Sequence, residues 1–90
     1  MPRYVIEREL PGAGKMSQEE LRSISQQSNS VLDKMGDDIE WVESFVTNDK
    51  IYCIYNATDK DKIIEHAETA GFPANTIEEV RAMISPATGV

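Results

Sequence analysis

The sequence predicts an α+β fold with elements in the order β-α-β-β-α-β. Three observations carry that prediction. Residues Ile39 to Ala57 read IEWVESFVTNDKIYCIYNA, two strand-like runs meeting at Asn48 and Asp49, whose short side chains suit a tight turn. A stretch of helical periodicity stands on each side of this hairpin. One further strand-like run lies towards each end of the chain.

The first strand runs from Arg3 to Leu10 around Val5 and Ile6. Pro11-Gly12-Ala13-Gly14 stops it, because proline lacks a donor and glycine admits turns. Ser17 is the N-cap of the first helix, and Glu20 three residues on completes a capping box. Leu21, Ile24, Ser28, Val31, Leu32 and Met35 make one stripe, and Gly36 closes the helix. In the hairpin, a turn at Asn48–Asp49 sets Phe45 opposite Tyr52, Ser44 opposite Cys53 and Glu43 opposite Ile54. Thr58 or Asp59 caps a second helix with Ile63, Ile64, Ala67 and Ala70 on its apolar side, and Gly71 and Pro73 end it. The last strand lies within Thr76 to Ile84, where IEEVRAMI also permits a short helix, and residues 85–90 read as a loose tail. Two helical crossovers place both helices on one face of a four-stranded antiparallel sheet, with the fourth strand beside the first, then the third, then the second. This is the ferredoxin-like arrangement, a single domain over residues 1–90. It implies no iron–sulfur cluster, which one cysteine could not hold.

Ninety residues suffice for one small core, and 40% hydrophobic content argues against disorder. The formal net charge of −7 repels phosphate backbones and attracts cations, so nucleic acid is not an expected partner and a metal ion is a possible one. Strand three, KIYCIYNA, lacks the aromatic pattern with which such sheets stack RNA bases. No apolar run approaches the ~20 residues that span a bilayer. MPRYVIEREL lacks a secretory apolar core, and a lone cysteine makes no internal disulfide. The expected location is the cytoplasm, without a membrane.

Both faces of the hairpin are largely apolar. Helices approach most closely over small residues, so Ser44 and Cys53 mark the helix-covered face, with Val42, Val46, Ile51 and Tyr55, Tyr4 and Ile6 from strand one, and Val80, Ala82 and Ile84 from strand four. Strict alternation then puts Val5, Glu7, Trp41, Glu43, Phe45, Tyr52 and Ile54 on the open face. Val5, Trp41, Phe45, Tyr52 and Ile54 form a patch larger than monomers usually expose, and a two-fold dimer packing sheet on sheet would cover it.

His66, the only histidine, can serve as a metal ligand, acid or base, yet no carboxylate shares its helix face, which reads as a surface or hydrogen-bonded histidine. Glu43 among aromatics needs a partner: Arg8 or Arg81 of a second subunit, a ligand or a metal. Cys53, mid-strand, reads as a small buried hydrophobe. Pro11 to Ser17 sits where a phosphate loop would, but lacks its full spacing and reads as a connector, with no nucleotide implied.

PRYVIERELPG, WVESFVTNDKIYCIYNA and EHAETAGFPANTIEEVRAMISP together resemble, along nearly all of residues 2–86, a family of small bacterial proteins long catalogued as a domain of unknown function, one branch of which is nickel-binding. The resemblance implies a ferredoxin-like homodimer. For the nickel-binding branch it implies metal held at the dimer surface by histidine and acidic side chains, with a role in sequestration or detoxification. His66 and Glu7 match the family pattern, and Glu43 stands where some relatives carry histidine. The expectation is a non-catalytic, nickel-binding homodimer using His66, Glu7 and Glu43. The alternative is an enzyme or small-ligand binder of the α+β barrel kind, with Trp41, Phe45 and Tyr52 lining a pocket between sheet and helices and His66 or Glu43 as acid or base.

Overall fold

The computed structural model describes residues 1–90. Strand β1 spans Arg3–Glu9, helix α1 Gln18–Met35, strands β2 and β3 Ile39–Val46 and Lys50–Ala57, helix α2 Lys60–Ala70 and strand β4 Thr76–Glu79. The sheet is antiparallel in the order β2-β3-β1-β4, the ferredoxin-like arrangement. Both caps form as the sequence dictates. Ser17 and Glu20 exchange the two hydrogen bonds of a capping box, and Asp59 accepts from the Lys62 amide at the start of α2. Gly71, with φ 76°, ends α2 in the left-handed conformation that glycine adopts without strain. Neither helix is long and apolar enough to cross a membrane.

The hairpin turns at Asn48–Asp49, with Val46 paired to Ile51, and the expected register holds from there to Glu43 opposite Ile54. It then shifts. A bulge between Trp41 and Glu43 pairs Trp41 with Tyr55 and Ile39 with Ala57. The extra residue reverses the alternation upstream of it. Trp41 and Ile39 therefore face the helices, and Val42, expected in the core, is 40% exposed. The placement of Trp41 on the open face is corrected accordingly.

The core lies between the sheet and the helices. Tyr4, Ile6, Ile39, Ile51, Cys53, Tyr55, Ala57 and Ile63 are buried there, with Ile24, Leu32, Met35 and Ile77 packed against them. Strand β4 is shorter than expected and contributes Ile77, which pairs with Ile6. Val80 is only half-buried, while Ala82 and Ile84 lie beyond the strand and are exposed, so they are not core. The tail is not wholly irregular, since Pro86–Gly89 close a 3-10 turn at whose start the Ser85 amide donates to Thr88 Oγ1.

The connector after β1 is fastened to the hairpin turn. Leu10 and Gly14 donate their amides to the carbonyls of Asp49 and Asn48, and the Gly12 amide donates to Asp49 Oδ1. Donors that a phosphate loop would offer to an anion are thus already spent. Gly14 must be glycine for steric reasons, because a Cβ there would stand 2.9 Å from the Asn48 Cα. Gly14→Ala is expected to cost about 1–3 kcal/mol in urea unfolding. Gly89→Ala, where nothing lies within 4 Å, should change stability by less than ~0.5 kcal/mol.

Candidate functional site

Two regions carry chemistry: the helix side of the sheet, with His66, Arg8 and an adjoining cavity, and the open side, with Glu7 and Glu43. Alternation along β1 points Tyr4, Ile6 and Arg8 to the helices and Val5 and Glu7 away from them.

His66 is completely buried on α2. Its ring lies 5.3 Å from Tyr55 and 6.1 Å from Phe72, centroid to centroid. Nε2 is 3.1 Å from Ser28 Oγ of α1, whereas buried Nδ1 has no hydrogen-bond partner. Burial first, and the positive charge of Arg8 second, lower its pKa from 6.5 to about 4. His66 is thus a neutral element of the core that ties α1 to α2.

Arg8 is 4% exposed. Its Nε donates to Cys53 Sγ at 3.3 Å, Nη1 donates to the Pro73 carbonyl at 2.6 Å, and the guanidinium carbon stands 5.7 Å from the Phe72 ring centroid. Nη2 has no partner. The chain's three ion pairs all lie elsewhere, so this buried cation has no carboxylate. It cannot serve Glu43 of a second subunit across the open face, and Arg81 is occupied by Glu79 at 3.3 Å.

Beside Arg8 is a cavity of about 400 Å³ between α1 and the sheet. Leu21, Ile24, Ser25 and Ser28 of α1 face Trp41, Ser44, Val46, Ile51, Cys53 and Tyr55 of the sheet across it. The Trp41 indole donates to Ser44 Oγ at 2.9 Å on this wall. Exposed Val46, Gly71 and Pro73 belong to the lining, so the cavity reaches solvent at their edge. Of the aromatic residues expected around a pocket, Trp41 lines it, while Phe45 and Tyr52 lie on the opposite face. His66 stands behind the cavity wall, in contact with Ser28 and Tyr55.

On the open face, Glu7 is 3.5 Å from Lys50 Nζ, and the Lys50 pKa is raised chiefly by that carboxylate. Glu43 is exposed and has no ion-pair partner in the chain. Strand β3 separates the two glutamates, and they pair with Tyr52 and Ile54, two residues apart on it, so two strand spacings and a two-residue stagger set them about 12 Å apart. Phe45, 53% exposed, lies here with half-buried Val5, Tyr52 and Ile54. His66 is on the other side of the sheet from both glutamates. One chain therefore does not bring His66, Glu7 and Glu43 together, and no three His, Cys, Asp or Glu residues are grouped to hold a metal.

Sequence reading missed Arg8 as a site residue. The signal was present, because Arg8 shares the parity of Tyr4 and Ile6, both assigned to the core.

Fold and site define a small ferredoxin-like domain with a solvent-reaching apolar cavity and no metal centre within the single chain. The crystal structure of SCO4226 from Streptomyces coelicolor A3(2) is similar, with a TM-score of 0.76 over 91% of this chain and 99% of that one at 16% identity, a likeness of fold. The family described as "Nickel responsive protein SCO4226-like" matches residues 4–80, and the chain belongs to it. None of the curated proteins matches.

The buried imidazole has a consequence for acid stability. The folded ring stays neutral down to about pH 4, while the unfolded ring takes up a proton near 6.5. Its contribution is complete above pH 6.5 and is lost as the pH falls towards 4. That loss is expected to be up to about 3 kcal/mol, at 1.36 kcal/mol per pKa unit. Urea unfolding from neutral to acid pH should show it, and the His66→Gln variant should show a flatter acid limb.

Proposed function

We propose that the protein is a non-catalytic homodimer that binds divalent nickel as cargo, with modest affinity, through carboxylates of the open sheet face. Membership of the nickel-responsive family carries this reading. Two features of the chain support it. The net charge of −7 draws cations, and the open face holds Glu43 free beside an exposed aromatic patch that a second copy would cover. A two-fold pairing of these faces doubles every carboxylate at the interface, which a lone chain cannot do.

His66 has no part in this site as the chain is folded, because it is buried, hydrogen-bonded and on the wrong side of the sheet. Oxygen ligands alone discriminate poorly among divalent ions, so nickel, cobalt and zinc should bind with similar strength. Glu7 must also leave Lys50 to bind metal, which keeps the affinity modest. Sequestration, the role implied by the family resemblance, fits a weak, non-catalytic carrier of this kind.

Calorimetry with nickel on the tag-free protein tests the site. Glu7→Gln with Glu43→Gln should weaken binding at least about tenfold, equivalent to ~1.4 kcal/mol. His66→Gln should leave it unchanged. No detectable binding by the unaltered protein, or loss confined to His66→Gln, overturns the reading. In sedimentation, the protein should run at twice the chain mass, and Phe45→Glu should return it to the monomer.

A further inference from the structure

The cavity raises a question that the open face does not answer. Its lining holds one charged side chain, Arg8, and no carboxylate. Arg8 is more than nine-tenths buried, yet its present partners are a thiol, a backbone carbonyl and an aromatic ring, all uncharged, and Nη2 has none. A buried cation without a counter-ion is costly. In a chain whose net charge is −7, this buried cation forms no ion pair with any of the chain's own carboxylates. We propose that the cavity between α1 and the sheet binds a small amphipathic carboxylate, with its hydrocarbon or aromatic body among Leu21, Ile24, Trp41 and Ile51 and its carboxylate on the Arg8 guanidinium.

The chemistry of the lining selects this class of ligand. A guanidinium matches a carboxylate in shape as well as charge, and charge-assisted hydrogen bonds are the strong ones. The apolar walls exclude water and strengthen that contact, while favouring a body without further charge. A volume of about 400 Å³ lies within the range of small-molecule sites. Of the serine hydroxyls on the lining, Ser25 donates to the Leu21 carbonyl, Ser28 bonds His66 and Ser44 accepts from Trp41, so the unpaired polar group of the lining is Arg8. Entry is open at the edge formed by Val46, Gly71 and Pro73. This site goes beyond the nickel reading, since it uses neither Glu7 nor Glu43.

Decanoate and decanol, equal in chain length and different in charge, are the probes. The full chain is first freed of metal with a chelator, and the probes are kept below micellar concentrations. Trp41, the only tryptophan, lines the cavity and reports entry by its emission, with calorimetry as the second readout. Decanoate is expected to bind saturably and at least about tenfold more tightly than decanol. Arg8→Gln should remove that preference and Arg8→Lys should retain it. Ser25→Phe, which fills the cavity from α1, should abolish binding of both probes and serves where Arg8→Gln does not fold. Equal affinity for acid and alcohol, no saturable binding, or decanoate binding indifferent to these substitutions overturns the proposal. Failure of nickel binding would leave it standing, because the metal site lies on the other face.

Discussion

The hydrogen bond from the Trp41 indole to Ser44 Oγ joins two residues three apart on one strand. Residues at that spacing in a regular strand point to opposite faces, so the bond exists only because a bulge intervenes at Val42. The added residue has opposite effects on the two sides of the sheet. It moves the largest aromatic ring into the wall of the cavity, and it leaves the open face with Phe45, Tyr52, Val5 and Ile54. Had the strand run regularly, the cavity would have lost its widest apolar wall and the open face would have gained an indole. The placement of Trp41 on the cavity side of the sheet rather than on its open side rests on that local irregularity.

On the helix side of the sheet, Arg8 and His66 share one core, and only one of them is charged. Two positive charges in a poorly screened interior repel strongly. Burial is the larger cause of the neutral imidazole, and the charge of Arg8, which cannot give up its proton, acts in the same direction. The neutral imidazole bonded to Ser28 then makes a fixed joint between the helices. That role accounts for His66 without any metal.

Much of this could be read from the chain. The capping box at Ser17, the turn at Asn48–Asp49 and the register from Phe45 to Glu43 are local, and local rules specify them. Strand order followed from the succession of elements. The bulge was not legible, because alternation read outward from a turn carries no signal for one inserted residue, and the assignments of Trp41 and Val42 inherited the error. The length of β4 was not legible either, since IEEVRAMI keeps an apolar pattern past the point where β1 offers a partner. For the candidate site, the residue types were legible and their meeting was not. His66, Glu7 and Glu43 come from three elements, and only the folded sheet separates the first from the other two.

The two faces differ in electrical sign as well as in shape. The open face presents glutamates and an exposed phenylalanine to a medium that can supply metal ions or a second copy. The cavity presents a lone guanidinium behind apolar walls. A sheet of one residue's thickness separates them, and alternation along β1 places Glu7 and Arg8, adjacent in sequence, on opposite sides of it. Each charge thereby stays out of reach of the other. If Glu7 faced the cavity, it would pair with Arg8 and leave the lining without an unpaired charge. The same alternation that builds the strand therefore keeps the cavity cationic within an acidic protein.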